Sequence, residues 1–450
     1  VWIPLKTRIN DETKKKIEDF DIKGIGFEVE ESRVYPEGSS AAHLLGFVGK
    51  NKDGANEGYF GLEGYYDVAL SGKPGFLQRD SDATGNPIVL GESREISAIS
   101  GVDFVTNIDK RVQLTLEKKL AEGIEKYGAS SGTGVVMNPQ SGAVIAMSSF
   151  PSYEPGKYWE YGDKYFNNPA IFSSFEPGSV FKVVVMASAL DAKVVEPETE
   201  CDICSGPVKI DKYVIETWNK EYYPNSRMTD VIVHSDNVGM VFVSEKLGKE
   251  KMYDYLTKFG FGKISGIDLQ GEITPKLRDK DKWGVVELAT ASFGQGVAVT
   301  PIQMTAAVSA IANKGMYIAP QVVKKIVSES WEQDIKVGKG VRIISEKAAS
   351  QITGMMVEAA KKGESKWTYT RGFRVAGKTG TAQIPIAGHY DEEKTIASFV
   401  GFAPSDKPKF VMLITLQEPV SSPWASETAA PLWYSIANDL FPYFGIQPEN

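Results

Sequence analysis

The chain has 450 residues, 42 % of them apolar, with 50 Lys and Arg against 58 Asp and Glu, a formal charge of −8 and a pI of about 5.3. That length allows two or three domains at roughly 100–200 residues each. An acidic balance argues against a surface built on concentrated positive charge, so a nucleic-acid role is excluded first. Charged residues at 24 % and aromatics at 11 % exclude a disordered or fibrous chain.

In chain order, the first hundred residues alternate short extended pieces with Gly, Pro, Asn and Asp turns, as in KGIGFEVEESRVYPEG, KNKDGANEGYFGLEG, SGKPG and DATGNP. They predict a β-rich accessory domain over 1–101. A second domain is expected over 102–450, because TNIDKRVQLTLEKKLAEGIEKYG then sets Ile108, Val112, Leu116, Leu120 and Ile124 four apart, a helical stripe ending at Gly128. Apolar runs at 135–137 and 143–147 flank the turn set Asn138, Pro139, Gln140, Ser141 and Gly142, which is a hairpin signal. Residues 180–365 read mostly as helices. FRVAGKTGTAQ, ASFVGFA and KFVMLITLQ read as three strands, and ETAAPLWYSIANDLF as a last helix. The order implies an α/β (α+β) fold, one mainly antiparallel sheet with helices on its faces. No window approaches the roughly 20 uninterrupted apolar residues of a bilayer-spanning helix. The first residue is Val1, so the sequence is expected to be trimmed, with an upstream signal or membrane anchor lying outside it.

The most informative segment is SSFEPGSVFKVVVMASALD. The run from Val180 to Leu190 is apolar on every side, the pattern of a helix buried all round. Within it stands Lys182, a residue type almost never buried without partners. Ser179 lies three positions earlier, so hydroxyl and amine are expected to meet on one helix face as a self-contained nucleophile and base. A lysine desolvated by apolar neighbours has its pKa pushed toward that task. The plainer reading is an N-capping serine. Two further clusters shift the balance. Ser235, Asp236 and Asn237 precede a helical run, where the plain reading is again a cap. Lys378, Thr379, Gly380 and Thr381 continue a strand, either as a solvated edge or, with Gly380 marking close approach of another backbone, as an edge onto which a peptide can add. Cys201 and Cys204 in CDIC are half of a zinc-ribbon set, but there is no other Cys and only His43, His234 and His389. No structural zinc is expected, and the pair reads as a local disulfide or two free thiols.

S-x-x-K, S-D-N and K-T-G in this chain order are the motif set of class A β-lactamases and penicillin-binding proteins. The chain resembles a class B penicillin-binding protein along nearly its whole length. Outside the motifs, the likeness is carried by RVYPEG, AAHLLGFVG, GLEGYYDVALSGKPG, NPQSGAVIAM, SFGQGVAVTPIQM and ASFVGFAPSDKP. The resemblance implies the penicillin-binding transpeptidase fold, with 1–101 as the family's pedestal, or dimerisation-type, domain and 102–450 as the transpeptidase domain. The pedestal sets the chain apart from β-lactamases. NVGMVFVSEKLG, KFGFGKISGIDLQGE and SFGQG are more similar to the septal, cell-division members than to the elongation members. Asp236 as the middle residue of the second motif, and the CDIC cysteines, depart from the family pattern.

What the resemblance implies is a peptidoglycan D,D-transpeptidase. Ser179 attacks the penultimate carbonyl of a stem peptide ending in D-Ala-D-Ala, D-Ala leaves, and an amine from a neighbouring stem takes the acyl group. Lys182 would be the base, Ser235 a proton relay, Asn237 the holder of the donor amide, and Lys378 the cation that orients Ser235. Thr379 and Thr381, flanking Gly380, would grip the donor's terminal carboxylate, with the backbone N–H groups of Ser179 and Thr381 as oxyanion hole. Strict strand alternation puts Lys378 on the face opposite the two threonines, which leaves its reach to Ser235 open. No metal and no organic cofactor is called for. The implied partners are stem peptides, β-lactam antibiotics and a membrane-embedded glycan polymerase, met at the outer face of a bacterial cytoplasmic membrane through the pedestal and the anchor.

Glu221 and Asn225 in EYYPN mimic the deacylating pair of class A β-lactamases, but they precede the second motif and are read as a loop. His43 is read as structural, His234 as a packing neighbour of Ser235, and His389 as part of a mobile loop. The rivals are a β-lactamase or carboxypeptidase that uses water as acceptor, and a non-catalytic β-lactam sensor.

Overall fold

The computed structural model describes residues 3, 5, 6, 9–29, 31–80, 88, 93–386 and 389–449. The elements that place the site are α1 (Lys110–Tyr127), β1 (Ser131–Met137), β2 (Val144–Phe150), α2 (Lys182–Asp191), α3 (Met228–Val233), α4 (Asn237–Leu247), α5 (Pro301–Ala312), α6 (Glu346–Lys362), β3 (Ala376–Ile386), β4 (His389–Ala403), β5 (Phe410–Gln417) and α7 (Ala429–Tyr443). The apolar stripe forms α1, capped where Asp109 accepts from Arg111 and Val112 N–H groups and ended by Gly128. Val112, Leu116 and Leu120 are fully buried.

One antiparallel sheet of five strands runs in the order β3-β4-β5-β1-β2. Alternation along β5 sends Val411 and Leu413 to the helical block of α2, α4 and α6, and Met412, Ile414 and Leu416 to α1 and α7 on the opposite face. Both faces are therefore covered, at roughly 1.5–3 kcal/mol for each fully buried large side chain. β3, which carries the third motif, is the edge strand on the side of the helical block. No described helix is long and apolar enough to cross a membrane.

Two expectations need adjustment, and one open alternative, at the cysteines, is decided. The described part of 1–101 carries two short ladders, Phe47–Lys50 with Asn56–Tyr59 and Phe76–Arg79 with Ser93–Ile96, but also short helices at Asp11–Glu18, Ala42–Leu45, Gly61–Tyr65 and Asp67–Ser71. Gly, Pro and Asn mark where elements stop and do not specify which element lies between them. The DATGNP turn, 82–87, lies outside the described residues. The stretch 386–394, expected as a mobile loop, is the far end of the β3–β4 hairpin, with Ile386 paired to His389 and Pro385 to Tyr390; residues 387 and 388 lie outside the described residues. Cys201 and Cys204 form a disulfide.

The first hundred residues are fastened to the rest by an aromatic joint. Phe47 stacks on Tyr158 with ring centroids 4.3 Å apart and meets Phe166 edge-on at 4.8 Å, with Tyr153 beneath them. Polar ties lie alongside: Glu117 of α1 accepts from Ser40 Oγ at 2.9 Å and from Ala41 N at 2.7 Å, and Tyr66 donates to Asp268 at 3.0 Å.

Candidate active site

Ser179 lies in a 3-10 turn, Gly178–Phe181, that leads directly into α2. Gly178 has φ +55, a conformation that strains any residue with a Cβ. Strand β3 crosses immediately beside this turn. A Cβ at Gly380 would sit 2.8 Å from Val180 Cγ1 and 2.9 Å from the Pro177 carbonyl, so only glycine lets the strand come this close, as a glycine at this position of the strand suggested. Ser179 is half-buried, and its Oγ has no hydrogen-bond partner among the described residues.

Lys182, fully buried, does not form the self-contained pair with Ser179 that the i, i+3 spacing predicted. Its Nζ donates to Ser235 O at 2.6 Å, to Asn237 Oδ1 at 2.7 Å and to Ser235 Oγ at 3.3 Å. The reason is the length of the lysine stem: it carries the nitrogen past its own turn to the stronger acceptors offered by the α3–α4 corner. Burial first, then the neighbouring Lys378 ammonium, lowers its pKa to about 7, against the opposing pull of Glu364 and Asp236.

That corner is built by capping. Asp236 accepts from the Val238 and Gly239 N–H groups at the start of α4, at 2.8 and 3.2 Å. Its capping aspect is therefore real, and it frees Ser235 and Asn237 on either side to face the lysines. Ser235 takes φ +54, a costly backbone state for a non-glycine residue and one that gathers at functional sites. Asp236 Oδ2 is buried without a hydrogen-bond partner, and burial raises its pKa. Asn237 Nδ2 donates to Glu216 O at 3.1 Å.

From the strand side, Lys378 Nζ reaches Ser235 Oγ at 2.9 Å and also donates to Thr379 O and Oγ1, each at 3.2 Å. The alternation problem is thus resolved by the flexible stem, whose head group folds back over the next residue. Lys378 is 3 % exposed, and its pKa is lowered by burial. Thr379 Oγ1 donates to Glu364 Oε2 at 2.8 Å, and Thr381 Oγ1 accepts from Ala425 N at 3.0 Å. Beyond Thr381 the strand lines a cavity of about 600 Å³ together with Ser174, Phe175, Glu176 and Pro301.

Sequence reasoning missed Glu364, Trp218 and Trp424. Glu364 stands in the turn after α6, and nothing in KKGESKW distinguishes it from an ordinary surface charge. The two tryptophans meet with centroids 5.2 Å apart; Trp218 donates to His234 O, and Trp424 precedes the residue bonded to Thr381. His234 stacks face to face on Tyr223, as a packing neighbour. Glu221 lies in an exposed loop, where it accepts from Asn219 Nδ2 and Tyr223 OH.

A buried lysine one turn after a serine, a second lysine on an edge strand and a polar corner between them have the arrangement that serine acyl transfer needs, on a mixed α/β scaffold. The chain belongs to the penicillin-binding protein transpeptidase family. The family model described as "Penicillin binding protein transpeptidase domain" matches residues 132–440, and "Penicillin-binding Protein dimerisation domain" matches residues 2–106. Stage V sporulation protein D of Bacillus subtilis is 35 % identical over 99 % of this chain and 69 % of its own length. The peptidoglycan D,D-transpeptidase FtsI of Buchnera aphidicola subsp. Schizaphis graminum is 30 % identical over 100 % of this chain and 76 % of its own. Penicillin binding protein 3 of Mycobacterium tuberculosis, solved with ampicillin, superposes with a TM-score of 0.82 at 28 % identity, covering 93 % of this chain and 90 % of that one.

Proposed function

We propose that the chain is a peptidoglycan D,D-transpeptidase acting through an acyl-enzyme on Ser179. The observation that carries this reading is the convergence of Lys182, Ser235, Asn237 and Lys378 beside the turn that presents Ser179. At a pKa of about 7 the Lys182 amine is partly neutral near neutral pH. The neutral form keeps two donors for its 2.6 and 2.7 Å contacts and gains a lone pair for the Ser179 proton. Attack on the penultimate carbonyl of a D-Ala-D-Ala stem forms the ester. Ser235, supplied by the two lysines, passes a proton to the leaving amine, and the N–H groups of Ser179 and Thr381 receive the oxyanion. Asn237 holds the donor amide, Thr379 and Thr381 take the terminal carboxylate, and Gly380 lets the donor strand lie close. The cavity beyond Thr381 supports room for a stem peptide along β3.

Residues 102–450 carry this chemistry and 1–101 form the pedestal, through which a membrane-embedded glycan polymerase would be engaged, at the outer face of the cytoplasmic membrane in a bacterial cell envelope. The septal role rests on the NVGMVFVSEKLG and SFGQG segments. A sporulation setting is favoured by one observation, the 35 % identity to a protein named for that process. A β-lactamase reading finds no support at Glu221, which stands in an exposed loop.

The test is a fluorescent penicillin followed by mass mapping of the labelled peptide. A stable adduct on Ser179 is expected. Rapid turnover of a chromogenic cephalosporin, or a label on another residue, would sink the reading.

A further inference from the structure

Beside Thr379 stands a carboxylate that the reaction does not use. Glu364 is half-buried in the turn after α6, and its Oε2 accepts a hydrogen bond from the Thr379 hydroxyl at 2.8 Å. The same Oγ1 already accepts from Lys378 Nζ at 3.2 Å. A threonine hydroxyl has one proton to give, so a Thr379 that donates to Glu364 has none for a ligand. Thr381 differs: it accepts from Ala425 N, which leaves its own proton to be donated. Glu364 is also the anion that favours the charged forms of both buried lysines against burial. A carboxylate with these partners has the hydrogen-bonding environment of a bound anion, supplied by the chain itself.

Resting on the transpeptidase reading, we propose that Glu364 is a specificity-determining residue: in the free enzyme it occupies, on Thr379, the place of the donor's terminal carboxylate, and an anionic ligand must displace it before Ser179 is acylated. Two carboxylates cannot share one hydroxyl proton, and they repel at this range. Ligands without a negative charge escape both penalties. Glu364 therefore slows anionic ligands selectively.

The experiment compares second-order acylation rates of the full chain with benzylpenicillin and with its uncharged methyl ester, in wild type, Glu364→Gln and Glu364→Ala. The glutamine keeps an acceptor oxygen for Thr379 and removes the charge; the alanine frees the hydroxyl. For the anionic penicillin the rate should rise roughly tenfold in Glu364→Ala, the worth of one hydrogen bond to a charged group, and by less in Glu364→Gln, where only the repulsion is removed. For the ester it should stay within about twofold, so the anion-to-ester ratio rises. Equal gains, equal losses or no change with the two probes would overturn the proposal, as would a failure of both variants to fold, which would make Glu364 structural. Labelled wild type with an unchanged ratio sinks this proposal alone. Wild type that takes no label on Ser179 sinks the transpeptidase reading and this proposal with it.

Discussion

Two regions of the molecule bury polar groups, and they differ in which groups they bury. At the site, two ammonium groups stand in the interior because acceptors converge on them from different elements: Ser235 and Asn237 from the α3–α4 corner, and Thr379 from the edge strand. At the joint with the first hundred residues the buried charge is carboxylate, not ammonium: Glu63 is paired with Arg33, and Asp268 accepts from Tyr66 and from the Val322 and Val323 N–H groups. His43, 5 % exposed against the edge of Tyr153, is held neutral by burial, and the nearby Arg33–Glu63 pair keeps its arginine half in water. Buried ammonium groups with convergent partners mark the site, and buried aromatic area with paired carboxylates marks the joint.

If that contrast is right, substitutions at the site abolish acylation and spare the fold, while those at the joint do the reverse. The largest effect belongs to Ser179→Ala, which should take no fluorescent penicillin at all while its thermal midpoint stays near wild type, since the half-buried hydroxyl has no partner to lose. Residual labelling of this variant would place the nucleophile elsewhere. Lys182→Ala should slow acylation by roughly 10²–10⁴, the usual worth of a positioned base. A rate equal to wild type would assign proton transfer to Lys378 instead.

The pH profile sharpens the same point. On the proposed mechanism only the neutral Lys182 amine accepts the serine proton, and its pKa is lowered to about 7. Acylation should therefore be full above pH 7 and fall about tenfold per unit below it, reaching roughly a hundredfold loss at pH 5. Rates measured from pH 5 to 9 check this, and a flat acid limb would mean that the ammonium is not the titrating group. Smaller again is Gly380→Val. Its side chain would press on the Pro177 carbonyl and Val180, moving β3 away from the Ser179 turn and slowing acylation by about tenfold, of the order expected for a sub-ångström misplacement. Unchanged kinetics would show that the close approach has no part in the reaction.

These residues also mark the limit of what the sequence discloses. The α1 stripe, the 131–150 hairpin, the three late strands and the three motifs were readable because periodicity and turn chemistry are local, and because the motif residues are few in kind. The partners of Lys182 were not readable, because side-chain reach across 53 positions outweighs the i, i+3 geometry of one turn. Glu364 was invisible for a similar reason: its meeting with Thr379 depends on where α6 ends relative to β3. The pedestal was misjudged in texture because Gly, Pro and Asn punctuate helices and strands alike.

The joint yields the smallest effect on acylation and the clearest one on stability. Native His43 has its pKa lowered to about 4 by burial, outweighing its hydrogen bond with the Tyr165 backbone, whereas an unfolded histidine titrates near 6.5. Between those values the unfolded chain binds a proton that the native chain refuses, so acid favours unfolding. The contribution is complete above pH 6.5, declines as pH falls toward 4, changes no further below that, and amounts to on the order of 3 kcal/mol. His43→Gln removes the titration and keeps an N–H donor. Denaturant melts at pH 7.5, 5.5 and 4 should show wild type losing more stability than the variant on acidification, with identical Ser179 labelling at pH 7.5. Parallel losses in the two proteins would mean that the ring is protonated in the folded state, and the joint would then hold a buried cation as the site does, erasing the contrast.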